Sequence, residues 1–163
     1  MSTQPSTPQA FDIKDVEAII AQRKAMPGAM LPILHALQEK IGHVPPQAVP
    51  LIADALNVSR AEVHGVITYY HFFRQTPPGR HVVQVCRAEA CQARGGEALA
   101  EQVKAILGCD FHASTNDGQF TLEPVYCLGQ CACGPAIMIG DDLHARVSAE
   151  KFNRLLEAKR GTP

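Results

Sequence analysis

The sequence has almost no net charge and no long apolar run. Its 163 residues include 15 Lys and Arg against 16 Asp and Glu, a formal net charge of −1. A nucleic-acid-binding protein needs a basic face to neutralise phosphates, so this balance argues against that class. No stretch reaches the roughly 18 uninterrupted apolar residues of a membrane span. The first residues, MSTQPSTPQAFDIKDV, lack the basic and apolar regions of a secretion signal, and we expect a cytoplasmic protein.

Cysteine is also sparse, and several common catalytic motifs are missing. The six cysteines make up about 4% of the chain, below the ~8–10% of a disulfide-stabilised scaffold. Without an export signal, clustered cysteines are more typical of metal or redox sites than of disulfides. We find no H-E-x-x-H, no C-x-x-C, no P-loop and no G-x-G-x-x-G. All six cysteines lie in the second half of the chain: Cys86, Cys91, Cys109, Cys127, Cys131 and Cys133.

What is present is an ordinary globular composition, with 46% apolar and 19% charged residues. This length accommodates one domain or two small ones. We predict a disordered N-terminus over residues 1–10, which are rich in Ser, Thr, Pro and Gln. A helical bundle is predicted over residues 11–76 and an α/β domain over residues 80–163, joined by the Pro- and Gly-containing segment 76–79.

The first half shows apolar residues at helical spacing, which predicts four helices. Gly28 and Gly42 mark the ends of the first two, and Pro46 lies near the start of the third. Ser59 and Glu62 form a capping box at the start of the fourth. The apolar residues that define these helices are Val16, Ile19 and Ile20; Met30, Leu34, Leu37 and Ile41; Val49, Ile52 and Leu56; and Val63, Val66, Ile67 and Tyr70.

The second half changes to short β-branched runs that alternate with helical patterns. Strands are predicted at residues 81–85 and 120–126, with a helix at 95–107 between them. A hairpin of residues 136–139 and 143–147 and a final helix from Ser148 complete this half. The sequence therefore predicts an α+β protein: a helical bundle followed by a small α/β domain with a mixed sheet.

Four of the cysteines form two pairs, each at the end of a predicted strand. Cys86 and Cys91 form C-x4-C, and Cys127 and Cys131 form C-x3-C. Small residues surround both pairs, which lets backbone N–H groups approach a thiolate-rich centre and stabilise its negative charge. Two separated pairs suit a [2Fe–2S] cluster with one pair per iron. Structural zinc is the main competing interpretation, because four thiolates also make a tetrahedral zinc site, and a thiol redox enzyme is a third.

The remaining candidates have structural interpretations beside functional ones. Cys109 is interpreted as a half-buried apolar residue, whereas Cys133 competes with Cys131 for the role of ligand. Arg87 and Arg94 flank the first pair and either offset cluster charge, meet an acidic partner or lie in solvent. The aromatic segment 69–73 is equally consistent with core packing and with a docking surface for another subunit.

Together these motifs resemble a known family, the thioredoxin-like [2Fe–2S] subunit of NADH dehydrogenases, also called the 24-kDa-type or E subunit of respiratory complex I. Related modules are the gamma subunit of NAD-dependent formate dehydrogenases and a subunit of NAD-reducing hydrogenases. The resemblance runs from about residue 12 to 160. It is carried by the cysteine motifs and by MLPIL (30–34) with Gln38, GHVP (42–45), GVITYY (65–70), Pro78 with Gly79, DGQFTL (117–122), CLGQC (127–131) and Pro135.

The resemblance implies a thioredoxin-like ferredoxin domain after the helical bundle. It implies that one [2Fe–2S] cluster is bound by Cys86, Cys91, Cys127 and Cys131, although Cys133-Gly134 departs from the usual pattern. It further implies a non-catalytic electron carrier beside a subunit with FMN and an NAD site, and a larger iron–sulfur subunit that carries molybdenum in formate dehydrogenases. The loop CRAEAC (86–91) is most similar to the gamma subunit of a molybdenum-containing, NAD-dependent formate dehydrogenase. Complex I and the hydrogenases are the alternatives.

Overall fold

The structure is a computed structural model that describes residues 11–161. The predicted disorder of residues 1–10 lies outside these residues. The chain divides into two compact units between Pro77 and Pro78. Each unit has its own apolar core, and each is described separately below.

The first unit contains four helices in the predicted order. The predicted capping box forms at the last of them, where Ser59 Oγ accepts from the Glu62 amide at 3.2 Å and Glu62 accepts from the Ser59 amide at 2.8 Å. Gly42 and Asn57 end two helices in the left-handed conformation, as is common at helix C-termini. The helices are α1 (Ile13–Arg23), α2 (Met30–Ile41), α3 (Ala48–Leu56) and α4 (Arg60–Tyr69).

In α2 and α3, the core of this unit uses the middle of the predicted apolar stripe. The residues at the ends of the stripes, such as Met30, Ile41 and Leu56, are only half-buried and pack at the margin. Tyr70 lies beyond the last turn of α4 and is exposed, so its predicted place in the apolar stripe was wrong. The largest fully buried side chains are Val16, Ile33, Leu34, Leu37, Val44, Ile52 and Val63.

The aromatic segment 69–73, which begins at the last residue of α4, is mostly exposed. Tyr69, Tyr70 and Phe72 are 74%, 42% and 52% exposed, and only Phe73 is buried. The buried Gln38 of α2 fixes this segment, because its Nε2 donates to the Phe72 carbonyl and its Oε1 accepts from the Arg74 amide, both at 2.7 Å. The aromatic side chains therefore lie on the surface of a segment whose backbone is held in place.

The second unit is a five-stranded sheet with helices. Three features were not predicted: the four-residue helix α5, the two-residue strand β2 and a 3₁₀ turn at Cys131–Cys133. The elements in chain order are β1 (His81–Cys86), α5 (Glu89–Gln92), α6 (Gly96–Leu107), β2 (Ala113–Ser114), β3 (Phe120–Val125), β4 (Ala136–Ile139), β5 (Asp142–Ala145) and α7 (Ala149–Arg160).

The strand order is β2-β3-β1-β4-β5. The central strand β1 pairs in parallel with β3 and antiparallel with β4, and β4 and β5 form the predicted hairpin. The predicted mixed sheet is therefore confirmed. Because β1 and β3 are parallel and Cys86 lies opposite Val125, the loops that follow these two strands leave the sheet side by side. The core of the unit includes Val83, Val85, Leu122, Ile137 and Phe152.

Candidate functional site

The first cysteine pair is buried. Cys86 is the last residue of β1 and Cys91 lies in α5, and each is only 2% exposed. The Cys86 thiol and the Ala136 amide both lie close enough to Cys91 to influence its pKa. Burial is the main reason that the pKa of Cys91 lies above its usual range, ahead of the contact with Cys86. A bound cation would favour the thiolates that this apolar site otherwise disfavours.

The second pair is exposed and tightly constrained. The Sγ atoms of Cys127 and Cys131 are 3.6 Å apart, and the Gly129 amide donates to Cys127 Sγ at 3.3 Å. That amide, followed by the Cys131 thiol, lowers the pKa of Cys127, whereas its neighbour Cys127 raises the pKa of Cys131. Cys127 has φ 147°, a conformation unfavourable for a non-glycine residue that persists only where the surroundings impose it.

The two pairs lie close to one another. Cys131 interacts electrostatically with Cys86 and with Cys91. The structure thus brings all four predicted ligand residues together near the carboxyl ends of β1 and β3, as two pairs of thiols. A [2Fe–2S] cluster needs four thiolates in such an arrangement, and the donor set fits it. Within residues 11–161, no three His, Cys, Asp or Glu side chains are grouped as they would be around a single metal ion.

Two glycines make room for Cys91. A Cβ atom at Gly96 would lie 2.6 Å from the Cys91 carbonyl oxygen, and one at Gly134 would lie 3.2 Å from Cys91 Sγ. The backbone of Gly134 has φ −63° and ψ 165°, which any residue adopts readily. Its lack of a side chain therefore matters for space beside the Cys91 thiol and not for backbone freedom.

The other two cysteines have different surroundings. Cys133 lies in the 3₁₀ turn, where its Sγ is 3.9 Å from Arg146 Nη2 and its carbonyl accepts from the Arg146 amide at 2.8 Å. Cys109 follows α6 and is half-buried against the core, as predicted. No disulfide joins any of the six cysteines.

Sequence reasoning missed three contributions to this site. The amide of Ala136 comes from β4, and nothing in the sequence links it to Cys91. The helix α5 is too short to show an apolar period. Arg87 is paired with Glu97 within the unit, a contact that the sequence did not indicate. For the Gly129 donor, the sequence contained one indication, the glycine two residues after Cys127.

The fold and the thiols define a class, a small mixed α/β domain with two cysteine pairs at the carboxyl ends of neighbouring parallel strands. The family model for thioredoxin-like [2Fe–2S] ferredoxins matches residues 16–160. The chain belongs to this family, which confirms the predicted resemblance, the fold class and the [2Fe–2S] cofactor.

Several known proteins are similar to this chain over most of its length. The E subunit of the NADH-quinone oxidoreductase of Pseudomonas aeruginosa is 38% identical over 130 residues, 80% of this chain and 78% of that protein. The HndA subunit of the NADP-reducing hydrogenase of Solidesulfovibrio fructosivorans is 29% identical over 143 residues, 88% of this chain and 84% of that protein. These relatives are subunits of oxidoreductase complexes.

A solved structure supports the fold. The crystal structure of an NAD+-reducing [NiFe]-hydrogenase in the H2-reduced state matches with a TM-score of 0.66 and 24% identity. The match covers 80% of this chain and 22% of the hydrogenase chain. Over the described residues, no helix combines the length and the apolar character that crossing a membrane requires.

Proposed function

We propose that this chain is a one-electron carrier that holds one [2Fe–2S] cluster with Cys86, Cys91, Cys127 and Cys131. The observation that carries the proposal is the meeting of two thiol pairs at the ends of neighbouring parallel strands. Membership of the ferredoxin family supports it. The chain is a non-catalytic part of a larger oxidoreductase, because it has no recognisable nucleotide or flavin motif of its own.

The residues of the chain divide the work of holding the cluster. When bound, the cluster supplies reversible one-electron transfer. Cys86 and Cys91 would hold it through thiols that are buried in the unit. The Gly129 amide donates to the Cys127 sulfur, and the Ala136 amide lies close to Cys91. Amide donors to the sulfurs stabilise negative charge and set the reduction potential. Cys127 and Cys131 lie on the surface, where a redox partner has the shortest approach.

The proposed partners are a flavoprotein subunit with FMN and an NAD site, and a larger iron–sulfur subunit. The names of the relatives support an NAD-linked complex. Exposed aromatic side chains are typical of protein interfaces, so Tyr69, Tyr70 and Phe72 suit contacts with other subunits. Six cysteines without a disulfide suit a reducing compartment, and the cytoplasm is the proposed location.

The particular complex is the finer part of the proposal. The CRAEAC loop supports the gamma subunit of a molybdenum-containing, NAD-dependent formate dehydrogenase. The second candidate is the E subunit of NADH-quinone oxidoreductase or the equivalent subunit of a hydrogenase, which the names of the relatives favour. Purification through a tag on this chain, followed by reduction with formate, NADH or H2, separates these candidates. Reduction by formate supports the first, and its failure in an intact complex excludes it.

The electron-carrier function is tested by anaerobic purification, iron and sulfide assays and EPR spectroscopy. We expect two irons and two sulfides per chain. The protein should be EPR-silent when oxidised and should show an S = 1/2 signal after reduction by dithionite. Zinc without sulfide, in protein kept strictly anaerobic, would contradict the proposal and leave a structural module.

A further inference from the structure

We propose that Arg87 and Glu97 form a latch that closes the loop over the buried thiol pair and slows the release of the cluster. The inference builds on the proposed function, since it concerns the cluster that Cys86 and Cys91 hold. Arg87 and Glu97 are positioning residues here, because they act on the loop and not on the cluster.

The geometry of the ion pair joins the cysteine loop to α6. Arg87 directly follows Cys86, and its amide donates to the Val125 carbonyl at 2.7 Å. Its Nη2 lies 2.8 and 3.0 Å from the two carboxylate oxygens of Glu97, in the first turn of α6. The guanidinium carbon also lies 5.4 Å from the centre of the Phe111 ring. Three separate contacts thus hold one residue.

The rest of the loop is closed by short local contacts. The Gln92 side chain donates to the Arg87 carbonyl at 2.7 Å, across α5. At the other end of the loop, Gly96 packs directly against the Cys91 carbonyl. A Cβ atom on residue 96 would lie only 2.6 Å from that carbonyl oxygen. The loop is therefore packed against the start of α6 at one end and tied to α6 by the ion pair at the other.

The burial of the thiols makes this closure important. Cys86 and Cys91 are each 2% exposed, whereas Cys127 and Cys131 are exposed. A chelator reaches the buried pair only when the loop opens locally, and the rate of such an opening depends on the contacts that it breaks. The Arg87–Glu97 pair is the charged contact between loop and helix that such an opening breaks.

The strength of the latch follows from its exposure. The side chains of Arg87 and Glu97 are 20% and 58% exposed, so solvent weakens their attraction. Both carboxylate oxygens are contacted by one nitrogen, Nη2, so the pair has the ordinary strength of a partly exposed ion pair. We therefore expect loss of the pair to accelerate release of the cluster about two- to fivefold.

The chain contains a matched control pair. Lys159 and Asp142 also form a charged contact between a helix and the sheet, at 2.7 Å, with side chains 30% and 61% exposed. This pair joins β5 to α7 and does not involve the cysteine loop. Lys159→Ala therefore removes a similar ion pair from the same unit and leaves the latch intact.

The experiment measures loss of the visible absorption of the oxidised cluster after addition of an iron chelator under anaerobic conditions. The variants are Arg87→Ala, Glu97→Ala, the double variant and Lys159→Ala. Both latch variants should release iron several-fold faster than the wild type and the control. The double variant should be no faster than Arg87→Ala, because that substitution already breaks the ion pair that Glu97→Ala removes. A broader EPR signal, from a less uniform site, should accompany faster release.

Two results would overturn the latch. One is release from the latch variants at the rate of Lys159→Ala; the other is an additive effect in the double variant. Glu97→Gln, which keeps the side-chain shape, provides the same comparison if an alanine variant does not load with cluster. A wild-type chain that never contains iron and sulfide would instead contradict the proposed function. The two failures are thus distinguishable.

Discussion

The main difference among the four candidate ligand residues is their exposure to solvent. Cys86 and Cys91 are enclosed by the sheet, α5 and Gly134. Cys127 and Cys131 lie on the surface, where backbone amides and neighbouring thiols replace enclosure. Cys127 combines an unusual φ with a hydrogen bond from the Gly129 amide to its Sγ. We therefore expect the buried pair to take up iron slowly. The exposed pair should instead be the one that solvent or oxidants attack.

Cysteine substitutions test the ligand assignment. Replacing Cys86, Cys91 or Cys127 by alanine should reduce the iron content from two per chain to nearly none, because three thiolates do not complete the site. Cys109→Ala should leave iron and the EPR signal unchanged, and loss of the cluster in that variant would contradict the assignment. Cys131→Ala should lose the cluster and Cys133→Ala should keep it, because Cys133 Sγ lies beside Arg146. Equal effects at these two positions would leave them unseparated.

The buried His43 should make the stability of the protein depend on pH. Burial lowers its pKa below the ordinary value of 6.5. As the pH falls through 6.5, the unfolded chain binds a proton that the folded chain does not bind, so the free energy of unfolding decreases. Thermal melting from pH 7.5 to 5.5 should show this decrease, and His43→Asn should reduce it by a few degrees in Tm.

The control for this measurement is His64→Asn, because His64 lies exposed on α4. That variant should keep the pH dependence of the wild type. Some dependence should also remain in His43→Asn, because burial lowers the pKa of His81 in the second unit as well. An unchanged pH profile in His43→Asn would contradict the role of His43.

At the scale of elements, sequence periodicity was a good guide wherever an element is long. The four helices of the first unit, the strands β1 and β3 and the hairpin β4–β5 were all predicted, since each has a clear apolar period or turn residues. The elements that escaped prediction are α5, β2 and the turn at Cys131–Cys133. These elements have two to four residues, too few to show a period, and tertiary contacts hold them in place.

The candidate site shows the same division. The four cysteines were predicted from their spacing and from the family resemblance. The donors and the ion pair around them, such as Ala136 and Glu97, come from β4 and α6 and meet the cysteine loops only in the folded unit. Their contribution depends on which strands are neighbours, and the sequence of a single loop contains no such information.

The capping box at the start of α4 should be an important local contribution to the stability of the first unit. Ser59→Ala removes the acceptor for the Glu62 amide and should lower the free energy of unfolding by about 1 kcal/mol. Glu62→Gln keeps a side chain that can accept from the Ser59 amide and should have a smaller effect. Thermal melting followed by circular dichroism measures both, and equal losses would contradict the predicted difference.

For the whole molecule, the division at Pro77 and Pro78 predicts a separable cluster domain. All candidate ligands and a continuous core lie in the second unit. A fragment of residues 78–163 should therefore fold, take up two irons and two sulfides and show the EPR signal of the full chain. The measurement is iron and sulfide content with EPR of the fragment beside the full chain. A fragment that folds but fails to bind the cluster would show that the helical unit is needed.

The parallel pairing of β1 with β3 also has a consequence for the order of events in biogenesis. The two cysteine pairs are separated along the chain by all of α6 and β2, so no local folding step brings them together. Parallel neighbours connected by such a crossover form late, because a long loop must close before their contacts stabilise it. Until these strands pair, a nascent chain presents an iron–sulfur donor with the two cysteine pairs apart, and neither pair alone completes the site. Cluster insertion should therefore follow folding of the second unit, with the apo-protein as its acceptor.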